Sequence, residues 1–204
     1  PAWEDAGAYL DSSEIAYRLD ADEDPDADWR LDVYEGSTRL SVAINEYLHG
    51  ESNLVDEYHR NGIVPGFLLY PISAFPEEGR EEALAAFRDA LRAYLSEHGG
   101  EDALCHTGFA SGLYYGYLDF IAWDLESVLD AALAFFKERG MTGAEFHSFR
   151  RNVGGITLYR AEPKRHAETD SLLSPEDIET LEAFLEDDGG YYGKMVRWIE
   201  QFVD

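Results

Sequence analysis

The chain has 204 residues, 45% of them hydrophobic, which is enough for one sizeable folded domain and excludes disorder of the whole chain. It carries 42 acidic against 16 basic residues, a formal net charge of −26. Such a charge repels nucleic acid and anionic membranes at long range and attracts basic proteins. The single cysteine, Cys105, excludes an internal disulfide and a cysteine-rich zinc site, and it is typical of a reducing, cytoplasmic setting. No apolar run approaches the length of a transmembrane helix.

The N-terminal part, residues 1–62, is predicted to contain a β-hairpin and a short helix. The stretches EIAYRLD and WRLDVYEGSTRLSVAIN read as strands on either side of an acid-rich segment, residues 20–28. A turn is expected inside the second stretch, near Gly36. Its apolar residues at period two are Leu31, Val33, Leu40, Val42 and Ile44. A helix is predicted for residues 52–61, with Ser52 as its N-cap.

The middle part, residues 63–160, alternates strands and helices. Strands are predicted at residues 66–72, 103–111, 113–123 and 144–160, and helices at residues 78–98 and 124–139. The order strand, helix, strand, strand, helix, strand is the split βαβ plan of ferredoxin-like domains, in which an antiparallel sheet carries both helices on one face. We therefore predict an α+β fold with a ferredoxin-like core, whose sheet the N-terminal hairpin extends.

The C-terminal part, residues 171–204, is predicted to form a pair of helices. Ser174 is a suitable N-cap for the first, and Pro175 suits the first helical position. Both helices have an apolar stripe that would pack on the rest of the chain or, alternatively, bind a partner. We therefore treat residues 1–204 as a single domain.

The acid-rich segment invites comparison with a calcium loop. Its acids and the two that follow match ligand positions of such a loop: Asp24, Asp26, Asp28, Asp32 and Glu35. Trp29, however, occupies the position that requires glycine, and the flanks read as strands where a calcium hand has helices. A solvated acidic loop is the favoured interpretation, and we predict no metal site and no cofactor.

Catalytic motifs are weak in this sequence. The histidines form no H-E-x-x-H pair, and RRNVGG at residues 150–155 matches no phosphate-binding loop. A hairpin turn with exposed arginines is the favoured interpretation of RRNVGG. Asp119, Asp124 and His106 are the candidates for acid–base chemistry, but no spacing selects them, and we predict no catalytic site.

Tyrosines are concentrated in LYYGYLDFIAW. Alternation along a strand places part of this row on the exposed side of the sheet, and tyrosine is enriched in the centres of protein interfaces. Tyr114, Tyr115 and Tyr117 are therefore predicted to anchor a partner protein. The acids of the segment would steer that partner by long-range attraction: Asp22, Asp24, Asp26 and Asp28.

The acidic segment DADEDPDAD, the order of elements and the net charge resemble two groups of proteins. One is the small acidic immunity proteins of bacterial toxin systems. The other is the acidic ferredoxin-like regulators of ribonuclease activity, which the chain resembles over roughly residues 66–160. The resemblance implies a non-enzymatic protein that neutralises a basic protein partner, either a toxin or a nuclease, without binding nucleic acid or membrane.

Two alternatives remain open at this point. Only three of the sixteen basic residues are lysine, so the acidity is also compatible with salt adaptation in a cytoplasmic α+β domain of another activity. A hydrolase with an unrecognised acid–base site is the second alternative, and it predicts a pocket in which polar groups converge.

Overall fold

The computed structural model describes residues 14–24, 30–100 and 102–160, and within them the chain is an α+β protein. The strands are β1 (Ile15–Arg18), β2 (Val33–Thr38), β3 (Val64–Pro71), β4 (Leu104–Gly112), β5 (Tyr115–Ala122), β6 (Glu145–Ser148) and β7 (Ile156–Thr157). The α-helices are α1 (Ser41–His49), α2 (Asn53–Arg60), α3 (Arg80–His98) and α4 (Leu125–Glu138), and a 3-10 turn spans Ile72–Ala74. The helical pair predicted for residues 171–204 lies outside the described residues.

The seven strands of the described chain form one antiparallel sheet in the order β1-β2-β4-β5-β3-β6-β7. The predicted extension of the sheet is confirmed, because β1 pairs with β2 and β2 pairs with β4. The sheet is larger than the four-stranded plan predicted from the sequence. No helix among the described residues is long and apolar enough to cross a membrane.

Helices cover both faces of the sheet. The two helices predicted for the core, α3 and α4, lie on one face as expected, and α1 and α2 cover the other face. Leu68 and Tyr70 of β3 join the cluster that includes residues of α3 and α4, and we call this side the α3–α4 face. Phe67 and Leu69 join the cluster that includes residues of α1 and α2, the α1–α2 face. Because side chains alternate along a strand, a strand covered on both sides must be apolar throughout. This explains the unbroken run GFLLY in β3.

The stretch predicted as a second strand becomes a helix from Ser41 onward. The chain leaves β2 at Thr38, whose Oγ1 accepts the N–H of Leu40 at 2.9 Å. In α1, Ala43, Ile44 and Tyr47 are buried, whereas Val42 is exposed. The strand predicted from the period-two pattern is therefore wrong for residues 41–49. Ile44 and Tyr47 are three positions apart, a spacing that also places two side chains on one face of a helix. Gly50, in the left-handed conformation with φ 71°, ends α1.

The turn predicted near Gly36 is absent, because Gly36 lies within β2 and pairs with Tyr17 and with Ala110. A Cβ atom on Gly36 would lie 2.6 Å from the carbonyl oxygen of Phe109 and 2.6 Å from the Tyr17 ring. Gly36 is therefore required for the close approach of a neighbouring strand and the Tyr17 ring. A glycine inside a strand often marks such an approach.

Replacing Gly36 by alanine should destabilise the protein by about 1–3 kcal/mol, because the new methyl group overpacks against backbone and ring atoms. Equilibrium unfolding in urea measures this loss. Glu35→Ala, at the adjacent exposed position of β2, is the matched control and should change the free energy of unfolding by less than about 0.5 kcal/mol. Equal effects of the two substitutions would contradict this explanation.

Candidate partner-binding surface

The acid-rich segment runs beside the start of the next strand. The Leu19 N–H donates to the Tyr34 carbonyl at 3.1 Å, and the Asp22 N–H donates to the Leu31 carbonyl at 2.6 Å. Asp22 and Asp24 are exposed, and the Asp24 N–H donates to Asp22 Oδ1 at 3.0 Å. Backbone hydrogen bonds therefore hold residues 19–22 beside β2 and the residues before it, and the acids at positions 20, 22, 23 and 24 are exposed. Asp26 and Asp28 lie outside the described residues.

The predicted steering and anchoring residues meet at Tyr114. The Tyr114 hydroxyl donates to the carbonyl oxygen of Glu23 at 2.5 Å, although 91 positions separate the two residues. The contact places the acidic segment against the turn between β4 and β5. We call the exposed or partly exposed set Asp20, Asp22, Glu23, Asp24, Tyr34, Leu113, Tyr114 and Tyr115 the acidic surface.

Asp32 fixes the β4–β5 turn from below. Its side chain is buried, and Oδ2 accepts the N–H groups of Tyr114 and Tyr115 at 3.0 and 3.1 Å. Oδ1 accepts the hydroxyl of Tyr117 at 2.5 Å. Gly112 gives the carboxylate room, because a Cβ there would lie 2.1 Å from Oδ2. The sequence comparison matched Asp32 to a ligand position of a calcium loop. In the structure its carboxylate instead accepts three protein donors, the N–H groups of Tyr114 and Tyr115 and the Tyr117 hydroxyl.

Tyr117 is buried, only 1% exposed, so it cannot serve as the surface anchor predicted from the sequence. It shares the α1–α2 face with Phe67, whose ring centroid lies 5.8 Å away. Burial raises the pKa of Tyr117, and the negative charge of Asp32 and their hydrogen bond raise it further. Tyr114 and Tyr115 are partly exposed and remain candidates for anchors.

Sequence reasoning missed Tyr34 and Leu113, which are 39% and 37% exposed. Their backbones lie next to the other residues of the acidic surface, because the Tyr34 carbonyl accepts the Leu19 N–H and the Leu113 N–H donates to the Asp32 carbonyl. The register between β2 and β4 shifts between Val33 and Glu35, so that Tyr34 and Glu35 are both exposed. Strict alternation would have placed them on opposite faces. A bulge of this kind leaves no clear signal in the sequence.

A buried ion pair fixes Arg30, which follows the acid-rich segment in the chain. Arg30 Nη1 donates to Asp119 Oδ1 at 2.5 Å, and Nη2 donates to Oδ2 at 3.2 Å and to the Tyr17 hydroxyl at 3.1 Å. Arg30 is 3% exposed and Asp119 is fully buried. Burial is the largest single effect on Arg30 and opposes its charge, but Asp119, Tyr17 and Tyr117 together outweigh it, so the pKa of Arg30 is raised.

Aromatic rings surround the Arg30 guanidinium. Its central carbon lies 4.8 Å from the Phe67 ring centroid, 4.9 Å from that of Tyr117 and 5.5 Å from that of Phe149. Such rings stabilise a cation through their negative faces. Arg30 also has a φ of 64°, which is uncommon for a residue with a side chain. Its many contacts hold the backbone in this conformation where the chain enters the sheet.

The three acid–base candidates lie in different environments. Asp119 is buried in the ion pair with Arg30, whereas Asp124 caps α4 by accepting the N–H of Ser127 at 3.2 Å. His106 pairs with Phe120, a core residue of the α3–α4 face, and its Nε2 lies 3.3 Å from Ser96 Oγ. The described structure does not bring these three side chains together into one site.

The hairpin predicted for RRNVGG is confirmed, because β6 and β7 on either side of it pair antiparallel. Its arginines are less exposed than expected. Arg150 Nη2 donates to Asp56 Oδ1 at 2.5 Å, and Arg151 Nη1 donates to the Leu48 carbonyl at 3.2 Å. These arginines attach the hairpin to α1 and α2.

Among the described residues, no group of three or more His, Cys, Asp or Glu side chains is arranged to hold a metal ion. No model of a known protein family matches this chain, and no curated protein and no solved structure matches it either.

Replacing Asp119 by leucine should destabilise the protein by about 3–5 kcal/mol, because it leaves the Arg30 charge buried without its partner. Adding Arg30→Met to Asp119→Leu should recover a large part of that loss, since both buried charges are then gone. Urea unfolding of the two single variants and the double variant measures the coupling. A double variant whose loss equals the sum of the single losses would contradict the pairing.

Stability should fall as the pH drops from 6.5 toward 4, and His106 should cause part of this fall. Burial, then Arg92 and Arg39, lowers the pKa of His106 from 6.5 to about 4, so the unfolded chain takes up a proton that the folded chain resists. Burial also lowers the pKa of His147, which acts in the same direction.

The variant His106→Gln should flatten the dependence of unfolding free energy on pH across this range, by up to one bound proton per molecule. Urea midpoints recorded between pH 4 and pH 7 provide the measurement. Asn45→Gln, at an exposed position on α1 with no titrating group, is the control and should leave the slope unchanged. An unchanged slope in His106→Gln contradicts the assignment.

Proposed function

We propose that this chain is a non-enzymatic acidic binding protein that docks on a basic partner protein and neutralises it. The observation that carries the proposal is the hydrogen bond from Tyr114 to Glu23, which joins the acidic segment and the tyrosine turn into one surface. In the sequence these two features are far apart. Their contact is what a combined steering and anchoring surface requires.

The acidic surface combines two kinds of contact that act at different stages of binding. The carboxylates of Asp20, Asp22, Glu23 and Asp24 attract a basic partner at long range and speed the encounter. Tyr34, Leu113 and Tyr114 offer partly exposed apolar area that slows dissociation once it is buried. Charge alone would give a fast but weak complex, so the apolar residues are the necessary complement.

Asp32 and Arg30 act as positioning residues for this surface. Asp32 fixes the backbone of Tyr114 and Tyr115, and Arg30 fixes the chain where it leaves the acid-rich segment. A surface that is already ordered loses less conformational entropy when it binds. Because both residues are buried, they support the surface without contacting the partner.

The class of partner follows from charge. Toxins and nucleases that act on nucleic acid present basic surfaces to the phosphate chain. An acidic protein that covers such a surface excludes the substrate without any chemistry of its own. We therefore propose an immunity protein for a bacterial toxin, or a nuclease inhibitor, acting in the cytoplasm without a cofactor, nucleic acid or membrane.

We also propose that β3, α3, β4, β5, α4 and β6 form a ferredoxin-like core. The order β4-β5-β3-β6 of the central strands and the position of α3 and α4 on one face support this proposal. On this view β1, β2 and β7 extend both edges of the sheet, and α1 and α2 add a second layer. The acidic surface then lies on the added hairpin and the β4–β5 turn.

Neutralising the acidic segment tests the steering role. The variant with Asp20, Asp22 and Asp24 each replaced by Asn keeps a side-chain oxygen at Asp22 that can accept the Asp24 amide. We expect its association rate with a captured basic partner to fall about tenfold at low salt and to depend less on ionic strength. Stopped-flow or surface plasmon resonance measures both quantities on a partner isolated from host lysate with the wild-type chain.

The matched control replaces Glu77, Glu78 and Glu81 by Gln, which removes the same charge from exposed positions near the start of α3. It should reduce the association rate much less than the Asp variant. Equal losses in the two variants would show that overall charge, not this surface, drives binding. That result, together with a stability that rises strongly in molar salt, would favour salt adaptation instead.

A further inference from the structure

A small positive cleft lies on the α3–α4 face of this strongly acidic chain. It has a volume of about 90 Å³ and is lined by residues of α3, β4 and the segment after β2. We call it the arginine cleft and define it by Arg39, Arg88, Arg92, His106, Thr107 and Phe109. It shares no residue with the acidic surface, and the inference does not depend on the proposed function.

The arginines outnumber the acids in this cleft. Three arginines face Glu14 and Asp89, which leaves one net positive charge in a chain whose total is −26. Glu14 is already engaged, because it accepts the Ser37 hydroxyl and lies 3.7 Å from Arg39. Arg39 and Glu14 therefore compensate each other, and the net positive charge of the cleft comes from Arg88 and Arg92 against Asp89.

Arg88 is oriented by an aromatic ring. Its guanidinium carbon lies 3.8 Å from the centroid of the Phe109 ring, which is stacking distance. Stacking fixes the planar fork of an arginine and leaves its N–H edge available for hydrogen bonds. Arg92, one turn further along α3, is exposed and can approach the same ligand from the rim.

The floor of the cleft contains buried polar atoms with unused hydrogen-bonding capacity. Thr107 is 5% exposed, and neither its Oγ1 nor His106 Nδ1 has a hydrogen-bond partner among the described residues. The register between β4 and β5 shifts between His106 and Gly108, so both residues can line the same cleft. Buried polar atoms in folded proteins are nearly always paired, so two such atoms under one cationic cleft point to a ligand.

We propose that the arginine cleft binds one small oxyanion, a phosphate group or a carboxylate. Arginine forks match the geometry of both groups and form charge-assisted hydrogen bonds with them. The volume of about 90 Å³ matches one such group. The arginines contact the oxyanion, and Thr107 and His106 line the same cleft.

Titration of the full ¹⁵N-labelled chain with sodium phosphate at pH 7, followed by NMR, tests this proposal. Sodium chloride at matched ionic strength is the reference, because salt alone screens a surface of this charge. We expect saturable shifts in the amides of Thr107, Gly108 and Phe109 with phosphate and linear, smaller shifts with chloride. A parallel titration with sodium acetate distinguishes a phosphate group from a carboxylate.

Arg92→Gln should weaken the apparent affinity about tenfold, whereas Arg60→Gln should change it less than about twofold, because it removes the same charge from an exposed position on α2. Arg92 is exposed, so its replacement leaves the core intact. Saturation with either anion, lost in Arg92→Gln, supports the site and names its chemistry. Shifts equal to those in chloride, or affinity unchanged by Arg92→Gln, overturn it.

Discussion

The buried ion pair between Arg30 and Asp119 connects the acid-rich segment to the centre of the sheet. Two charges removed from water carry a large desolvation penalty, and only close geometry with further hydrogen bonds offsets it. Here the Tyr17 hydroxyl and three aromatic rings complete the surroundings of Arg30. Because Tyr17 lies on β1 and Asp119 on β5, the contacts of Arg30 with both residues also connect the edge strand β1 to the central strand β5.

The buried residues of the α1–α2 face stabilise the acidic surface against the repulsion between its carboxylates. Closely spaced carboxylates repel one another, and such repulsion favours an extended chain. The described residues 20–24 of the segment are held against this repulsion by the hydrogen bond from the Asp22 N–H to the Leu31 carbonyl and by the Tyr114 hydroxyl, which donates to the Glu23 carbonyl. Arg30 fixes the chain that follows the segment. Asp32 adds a second buried anchor by accepting donors from the β4–β5 turn. The conformation of the acidic surface thus depends on two buried charged groups, the Arg30–Asp119 pair and the hydrogen-bonded carboxylate of Asp32.

The two faces of the sheet differ in chemistry as well as in their helices. The α1–α2 face contains buried charges that support the acidic surface, whereas the α3–α4 face is largely aromatic and aliphatic and is flanked by the arginine cleft. The arginine cleft forms in this acidic chain because the fold brings together arginines from separate parts of the sequence. Arg39 comes from the segment after β2, and Arg88 and Arg92 come from α3.

The sequence by itself determined the local features of this protein. Apolar runs and caps predicted β3, β4, β5, α3 and α4, because burial on both faces and the Asp124 cap leave local patterns. Tertiary structure decided the rest. Residues 41–49 became helix because Ile44 and Tyr47 pack on the sheet, and Tyr117 turned inward because Asp32 accepts its hydroxyl. Arg30 contacts Asp119 and Tyr114 contacts Glu23, although each pair is far apart in the sequence. Patterns of neighbouring residues predict local structure, but they do not show which distant residues will meet.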